Sequence, residues 1–161
     1  QFRATDENER VEISEKEFSR LFQTKKERIN LAMIGLGDKE VEYFAPLLDG
    51  QRKNAIDPGR LDVHDGAKYC RSLYLNHNKI TDKGIKKLVD ALENNNSLTE
   101  LYLQYNKLGD AGAKHIGRLL EKNRRLKKLD VGANGIGEPG VGDIVDGLQD
   151  NGTIESVGLF G

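Results

Sequence analysis

The chain has 161 residues and a mass of 18.0 kDa, the size of one ordinary domain, long enough to bury roughly 68–70% of its unfolded surface. Apolar residues make up 37%, charged residues 32% and aromatics 6%, with Leu, Ile and Val ordered throughout, which excludes collagen-like, mucin-like and fully disordered classes. One cysteine excludes an intrachain disulfide or a cysteine-based zinc site, no apolar run approaches the ~18–20 residues of a membrane span, and a net charge of −1 gives the whole chain no electrostatic affinity for nucleic acid.

The chain opens at Gln1-Phe2-Arg3, without Met or a charged-then-apolar signal segment, and so reads as a processed form or an excised fragment. Residues 1–10 read as frayed. Val11, Ile13, Phe18, Leu21 and Phe22 on a charged background predict an amphipathic helix, so residues 1–28 form an N-terminal cap with its frayed terminus. An atypical first unit follows at 29–50. Ile29-Asn30-Leu31, then Leu36-Gly37-Asp38, Phe44 and Leu48, match Leu101-Tyr102-Leu103, Leu108-Gly109-Asp110, Ile116 and Leu120 at an offset of 72. Ile34 stands there where later units have Asn, and Glu40 where they have Gly. About sixteen extra residues, around Asp57-Pro58-Gly59, mark residues 51–68 as an insertion.

From residue 69 to 161 the chain repeats every 28 residues. Leu73, Leu101, Leu129 and Val157 form one column, and Leu75, Leu103, Val131 and Leu159 the next. Asn78, Asn106 and Asn134 follow, then Ile80, Leu108 and Ile136, then Gly84, Gly112 and Gly140. Alternating apolar residues predict a short half-buried strand, and Ile85, Leu88, Val89 and Leu92 predict a helix. Asp82 and Asp110 suit helix N-termini, and Pro139 a first turn. Asn95, Asn123 and Asn151 suit helix ends through their tolerance of the left-handed conformation. The Asn78 column is expected to satisfy turn amides, with Asn134 mattering less than Asn106, and the Gly84 column to let each helix start lie close to its neighbour. Stacked units of this kind give an α/β solenoid with a parallel sheet inside and helices outside.

The pattern Leu98-x-x-Leu101-x-Leu103-x-x-Asn106-x-Leu108-x-x-x-Gly112-x-x-x-Ile116-x-x-x-Leu120 resembles the leucine-rich repeat, and more narrowly the ribonuclease-inhibitor type. The resemblance implies a right-handed solenoid over 29–161 with the sheet on the concave side. It also implies a protein-binding scaffold that uses that face; a cytoplasmic setting is expected, with a secreted or effector origin left open. Two alternatives come from similar repeat types. One is a regulatory module like the Ran GTPase-activating proteins, although no Arg-bearing motif here can be matched to them. The other is a cytoskeletal capping module like the tropomodulin C-terminal domain.

Little in the chain asks for catalysis. His64, His77 and His115 share no metal spacing, and Asp62-x-His64-Asp65 reads as a solvated loop. Cys70 stands in the column of Leu98, Leu126 and Ile154, so it reads as a small core residue. The glycines from Gly132 to Gly142 lack the Lys-Ser/Thr ending of a phosphate loop, and the Asn-x-Ser/Thr matches at Asn95 and Asn151 fall on repeat columns. No catalytic residue, cofactor or metal is expected.

Open strand positions carry the remaining freedom. Across the sheet they read Asn30, Tyr74, Tyr102, Asp130 and Gly158, then Ala32, Asn76, Gln104, Gly132 and Phe160, with His77, Tyr105 and Ala133 at the strand exits. Tyr74, Asn76, His77, Tyr102, Gln104, Tyr105, Lys128, Asp130 and Phe160 are therefore the candidate contacts to a protein partner, since Tyr offers large area at little entropic cost. A bland role in cross-strand stabilisation competes with this one. Charge is also uneven. No Lys or Arg follows Lys128, and the basic run 122–128 reads either as a solvated helix end or as one pole of a docking surface. The array stops at a strand without its helix, which leads to the expectation that the natural chain continues past Gly161 or that the C-terminal edge strand self-associates.

Overall fold

The computed structural model describes residues 13–49 and 68–160. The expected frayed segment, Val11 and the insertion apart from Lys68 lie outside the described residues, together with Asp62, His64 and Asp65. Helix α1 (Glu15–Phe22) precedes strand β1 (Arg28–Asn30), helix α2 (Asp38–Phe44) and a 3-10 turn (Ala45–Leu48). Then come β2 (Ser72–Tyr74), α3 (Asp82–Leu92), β3 (Glu100–Tyr102), α4 (Gly109–Lys122), β4 (Lys128–Asp130), α5 (Glu138–Leu148) and β5 (Ser156–Gly158). The five strands form one parallel sheet in sequence order, with Ile29, Leu73, Leu101, Leu129 and Val157 in one row. The fold is an α/β leucine-rich-repeat solenoid.

Each strand buries its apolar positions against the helices, so Leu73, Leu75, Leu101 and Leu103 are fully buried while Tyr74 and Tyr102 stay half-buried on the other face. The predicted cap helix is present as α1. Ser14 and Glu17 close its start reciprocally: the Ser14 hydroxyl accepts from the Glu17 amide, and Glu17 accepts from the Ser14 amide at 2.8 Å. Its Phe18 and Phe22 rings lie 5.3 and 6.0 Å from Phe44, and burying each ring stabilises the end of the array by about 1.5–3 kcal/mol.

Two asparagine ladders tie the units together. Asn106 donates to the carbonyls of Leu75 and Leu103 at 2.9 and 2.8 Å and accepts from the Ile80 amide at 3.0 Å. Asn78 and Asn134 do the same one unit before and after. Asn134, expected to matter less, thus makes the same bonds and is 4% exposed. At Ile34, the same column in the first unit, no amide is needed for the Leu31 carbonyl, which accepts from Asn78.

The second ladder corrects the sequence reading. Asn95, Asn123 and Asn151 are not in the left-handed conformation. Asn123 instead accepts from the Arg125 and Leu126 amides and donates to the Leu92 carbonyl of the preceding helix, and Asn95 and Asn151 repeat the arrangement. Two lone pairs and two donors on one short side chain serve a buried turn better than a permissive φ does.

Candidate functional site

Strand register builds the site. Because β2 and β3 pair Tyr74 with Tyr102, the two rings stack with centroids 4.7 Å apart and an interplanar angle of 9°. Beyond the strands, Met33, His77, Tyr105 and Ala133 all turn with positive φ, between 52° and 59°. That conformation costs a non-glycine residue about 1–2 kcal/mol. It is held by bonds to the next unit, from the His77 amide to the Gln104 carbonyl at 2.8 Å and from the Tyr105 amide to the Gly132 carbonyl at 3.1 Å. The turn projects His77 onto Tyr105, ring over ring at 4.2 Å and 10°. Two aromatic stacks thus form a ledge along the open face, with Asn76 and Gln104 between them.

Exposure picks out the end of that ledge. Tyr105 is 52% exposed and Met33 68%, large apolar surface left open to water. Met33 was missed among the candidate contacts, although the offset of 72 that aligns the first unit places it in the row of Tyr105. Gln104 itself is half-buried between the two stacks.

The flanking charges are already engaged. Glu100 accepts from the Ser72 hydroxyl at 2.9 Å, pairs with Lys128 at 3.1 Å and accepts from the Tyr102 hydroxyl at 3.4 Å. The Ser72 bond, then Lys128, holds the Glu100 carboxyl below its ordinary range, and Glu100 in turn raises Lys128. Burial, then the Glu100 charge, pushes the Tyr102 phenol up, so it stays a neutral donor. Asp130 accepts from the Gly132 amide at 3.0 Å and lies over Gly158. Phe160 is 90% exposed, at the far end of the row that holds Asn76 and Gln104. The structure therefore brings Tyr74, Asn76, His77, Tyr102, Gln104 and Tyr105 together, places Lys128 and Asp130 beside that group, and leaves Phe160 apart at the far end of the sheet.

Reactive chemistry is scarce around this face. Cys70 is fully buried, and burial pushes its thiol up to about 12. Among the described residues no three His, Cys, Asp or Glu side chains converge as metal ligands. The arrangement offers area, stacking and amides.

Comparison with known proteins follows the same lines. The leucine-rich-repeat family model matches residues 71–89, 94–117 and 122–145. No curated protein sequence matches the chain. Among solved structures, the chain is similar to the leiomodin-1 actin-binding site 2, with 17% identity and a TM-score of 0.70 over 89% of this chain and 77% of that one. It is also similar to the tropomodulin C-terminal domain from Caenorhabditis elegans, with 13% identity and a TM-score of 0.66 over 91% of this chain and 83% of that one. At these identities the likeness is one of fold.

Proposed function

We propose that this chain, a leucine-rich repeat protein, is a non-catalytic scaffold that takes a protein partner on the open face of its sheet. The observation that carries the reading is the pair of aromatic stacks, Tyr74 on Tyr102 and His77 on Tyr105, the second built on two strained backbone conformations. The same turn recurs at Met33 and Ala133, so the backbone belongs to the repeat, and what sets this surface apart is the aromatic side chains placed on it. Rigid aromatics beside amides are what interface anchors look like. A cytoplasmic setting accords with the single free, buried cysteine. Among the described residues no helix is long and apolar enough to cross a membrane.

The test begins with partner capture and ends with affinity. Replacing Tyr74 and Tyr102 with Ala weakens the captured partner by at least about 1–2 kcal/mol. His77→Ala with Tyr105→Ala does the same at a smaller cost in stability, because Tyr105 is half in water already. That contrast separates anchoring from mere sheet stabilisation. An epitope confined to the outer helices sinks the reading.

A second reading is favoured by one observation, the shared fold with the actin-binding site of leiomodin-1. It makes the chain a cytoskeletal module of the tropomodulin kind, and an altered rate of actin polymerisation on adding the chain is its signature. Unchanged polymerisation removes it and leaves the scaffold reading standing.

A further inference from the structure

The loops that lead into the strands stack in line. The Arg71 amide donates to the Glu27 carbonyl at 2.7 Å, Thr99 to Arg71 at 2.8 Å, Lys127 to Thr99 at 2.8 Å and Glu155 to Lys127 at 2.7 Å. This chain of bonds draws three basic segments, far apart in sequence, onto one edge of the sheet. Lys25, Lys26 and Arg28 precede or open β1, and Lys68 and Arg71 precede β2. Arg124, Arg125, Lys127 and Lys128 precede or open β4. Against these nine bases the described loops before the strands hold five acids, Glu27, Glu93, Glu100, Asp150 and Glu155.

Local neutralisation is incomplete. Glu100 and Glu155 engage Lys128 and Lys127. Arg124 caps carbonyls at the end of α4, and Arg71 donates to the Ser97 carbonyl. The Lys25 and Lys68 ammonium groups both lie near the Tyr69 ring, at 5.6 and 5.4 Å from its centroid. Arg28 and Arg125 are exposed and, among the described residues, engage no carboxylate.

We infer that this strand-start edge is a docking track for an acidic, extended segment of a partner protein. It rests on the scaffold reading but not on the aromatic ledge. Charge complementarity sets the sign, and the spacing of the charge sets the class of partner. The unit between the two basic groups, 94–100, carries no base and ends in Glu100. Strands β2 and β4 stand two sheet spacings apart, ~9.6 Å, about three residues of extended peptide. A peptide can place acids at both ends of that span and an uncharged step opposite Glu100. A phosphodiester backbone or an anionic membrane presents charge without a gap and meets Glu100 with repulsion.

Fluorescence anisotropy of a labelled synthetic peptide tests the track, using two Asp-Glu pairs separated by a Gly-Ser step. The acidic peptide binds at low salt and weakens as ionic strength approaches physiological, while its Asn-Gln counterpart does not bind. Arg28→Glu with Arg125→Glu, which breaks no ion pair of the fold, lowers affinity roughly tenfold or more. Failure of the acidic peptide to bind overturns the track, as does indifference to the double charge reversal. Tighter binding of a single-stranded oligonucleotide, or of phosphatidylserine vesicles, overturns the choice of partner class. A captured partner that depends on the tyrosines and ignores Arg28 and Arg125 overturns the track and leaves the scaffold reading intact.

Discussion

Asn106 shows how much one side chain can hold between units. Removing its amide leaves the Ile80 amide without its partner in a dry turn and takes one of two asparagine donors from each of the Leu75 and Leu103 carbonyls, which Asn78 and Asn134 still reach. Asn106→Ala therefore costs ~1–3 kcal/mol, and Asn134→Ala costs a similar amount, since its bonds to Leu103, Val131 and Leu108 are equivalent. Chemical denaturation of both variants measures this, and negligible losses in both would remove the role assigned to the ladder. Glu100 offers a second residue-scale measurement. Its folded pKa lies below its unfolded one, so its bonds contribute stability above the ordinary carboxylate range, and that contribution is lost as pH falls through the folded value. An NMR titration should find Glu100 titrating low. Ser72→Ala should move it back toward the ordinary value, as should Lys128→Met, with Ser72 the larger effect because its hydroxyl is buried and donates directly.

Between elements, glycine sets the helix spacing. A Cβ on Gly140 would lie 2.6 Å from an Asp110 carboxylate oxygen and 2.9 Å from the Ala113 methyl, which bears out the close approach read from the repeat column. The same Asp110 oxygen accepts from the Gly137 and Gly140 amides at 2.7 and 3.2 Å, so one unit caps the helix of the next. In the first unit Glu40 replaces that glycine without harm. Its carboxylate accepts from its own Gly37 amide at 2.7 Å. Gly117 and Gly147 were invisible in the repeat columns, yet a Cβ on Gly117 would fall on the Asp143 carbonyl, and one on Gly147 on the Gly117 carbonyl. Gly117→Ala should force α4 and α5 apart and cost about 1–3 kcal/mol, as overpacking does. Gly142→Ala, on the same α5 with nothing within 4 Å, should be neutral or stabilising by up to about 1 kcal/mol. Thermal unfolding of the pair distinguishes contact from propensity, and equal shifts would contradict the close approach of the two helices.

At the scale of the whole molecule, a strict period made the strand rows legible, because parallel register follows once equivalent residues are aligned. Side-chain direction at the strand exits was not legible. The left-handed turns of Met33, His77 and Tyr105 arise from bonds to the next unit, which a period does not encode. Nor did the sequence show that basic loops 44 and 100 positions apart share an edge; the register pairing Arg28 with Ser72, then Glu100 and Lys128, does that. The same logic of borrowed bonds gives a prediction for β5. Each of the first four strands passes an amide forward: Leu31 to the Tyr74 carbonyl, Leu75 to Tyr102, Leu103 to Asp130 and Val131 to Gly158, all at 2.8–2.9 Å. Leu159 is the next in that series, and among the described residues its amide has no acceptor. Its side chain and that of Val157 are only half-buried, where their counterparts in β3 are fully buried. In dilute solutions of the 161-residue chain, the Leu159 amide should therefore exchange with solvent far faster than those of Leu103 and Val131, since its opening requires no strand to separate. Protection at Leu159 that rises with protein concentration would be the signature of a second copy pairing along this edge, the self-association an unpaired strand invites. Protection equal to that of Leu103 in a monomer would mean that β5 is closed by contacts other than strand pairing, and that its edge is not a free surface.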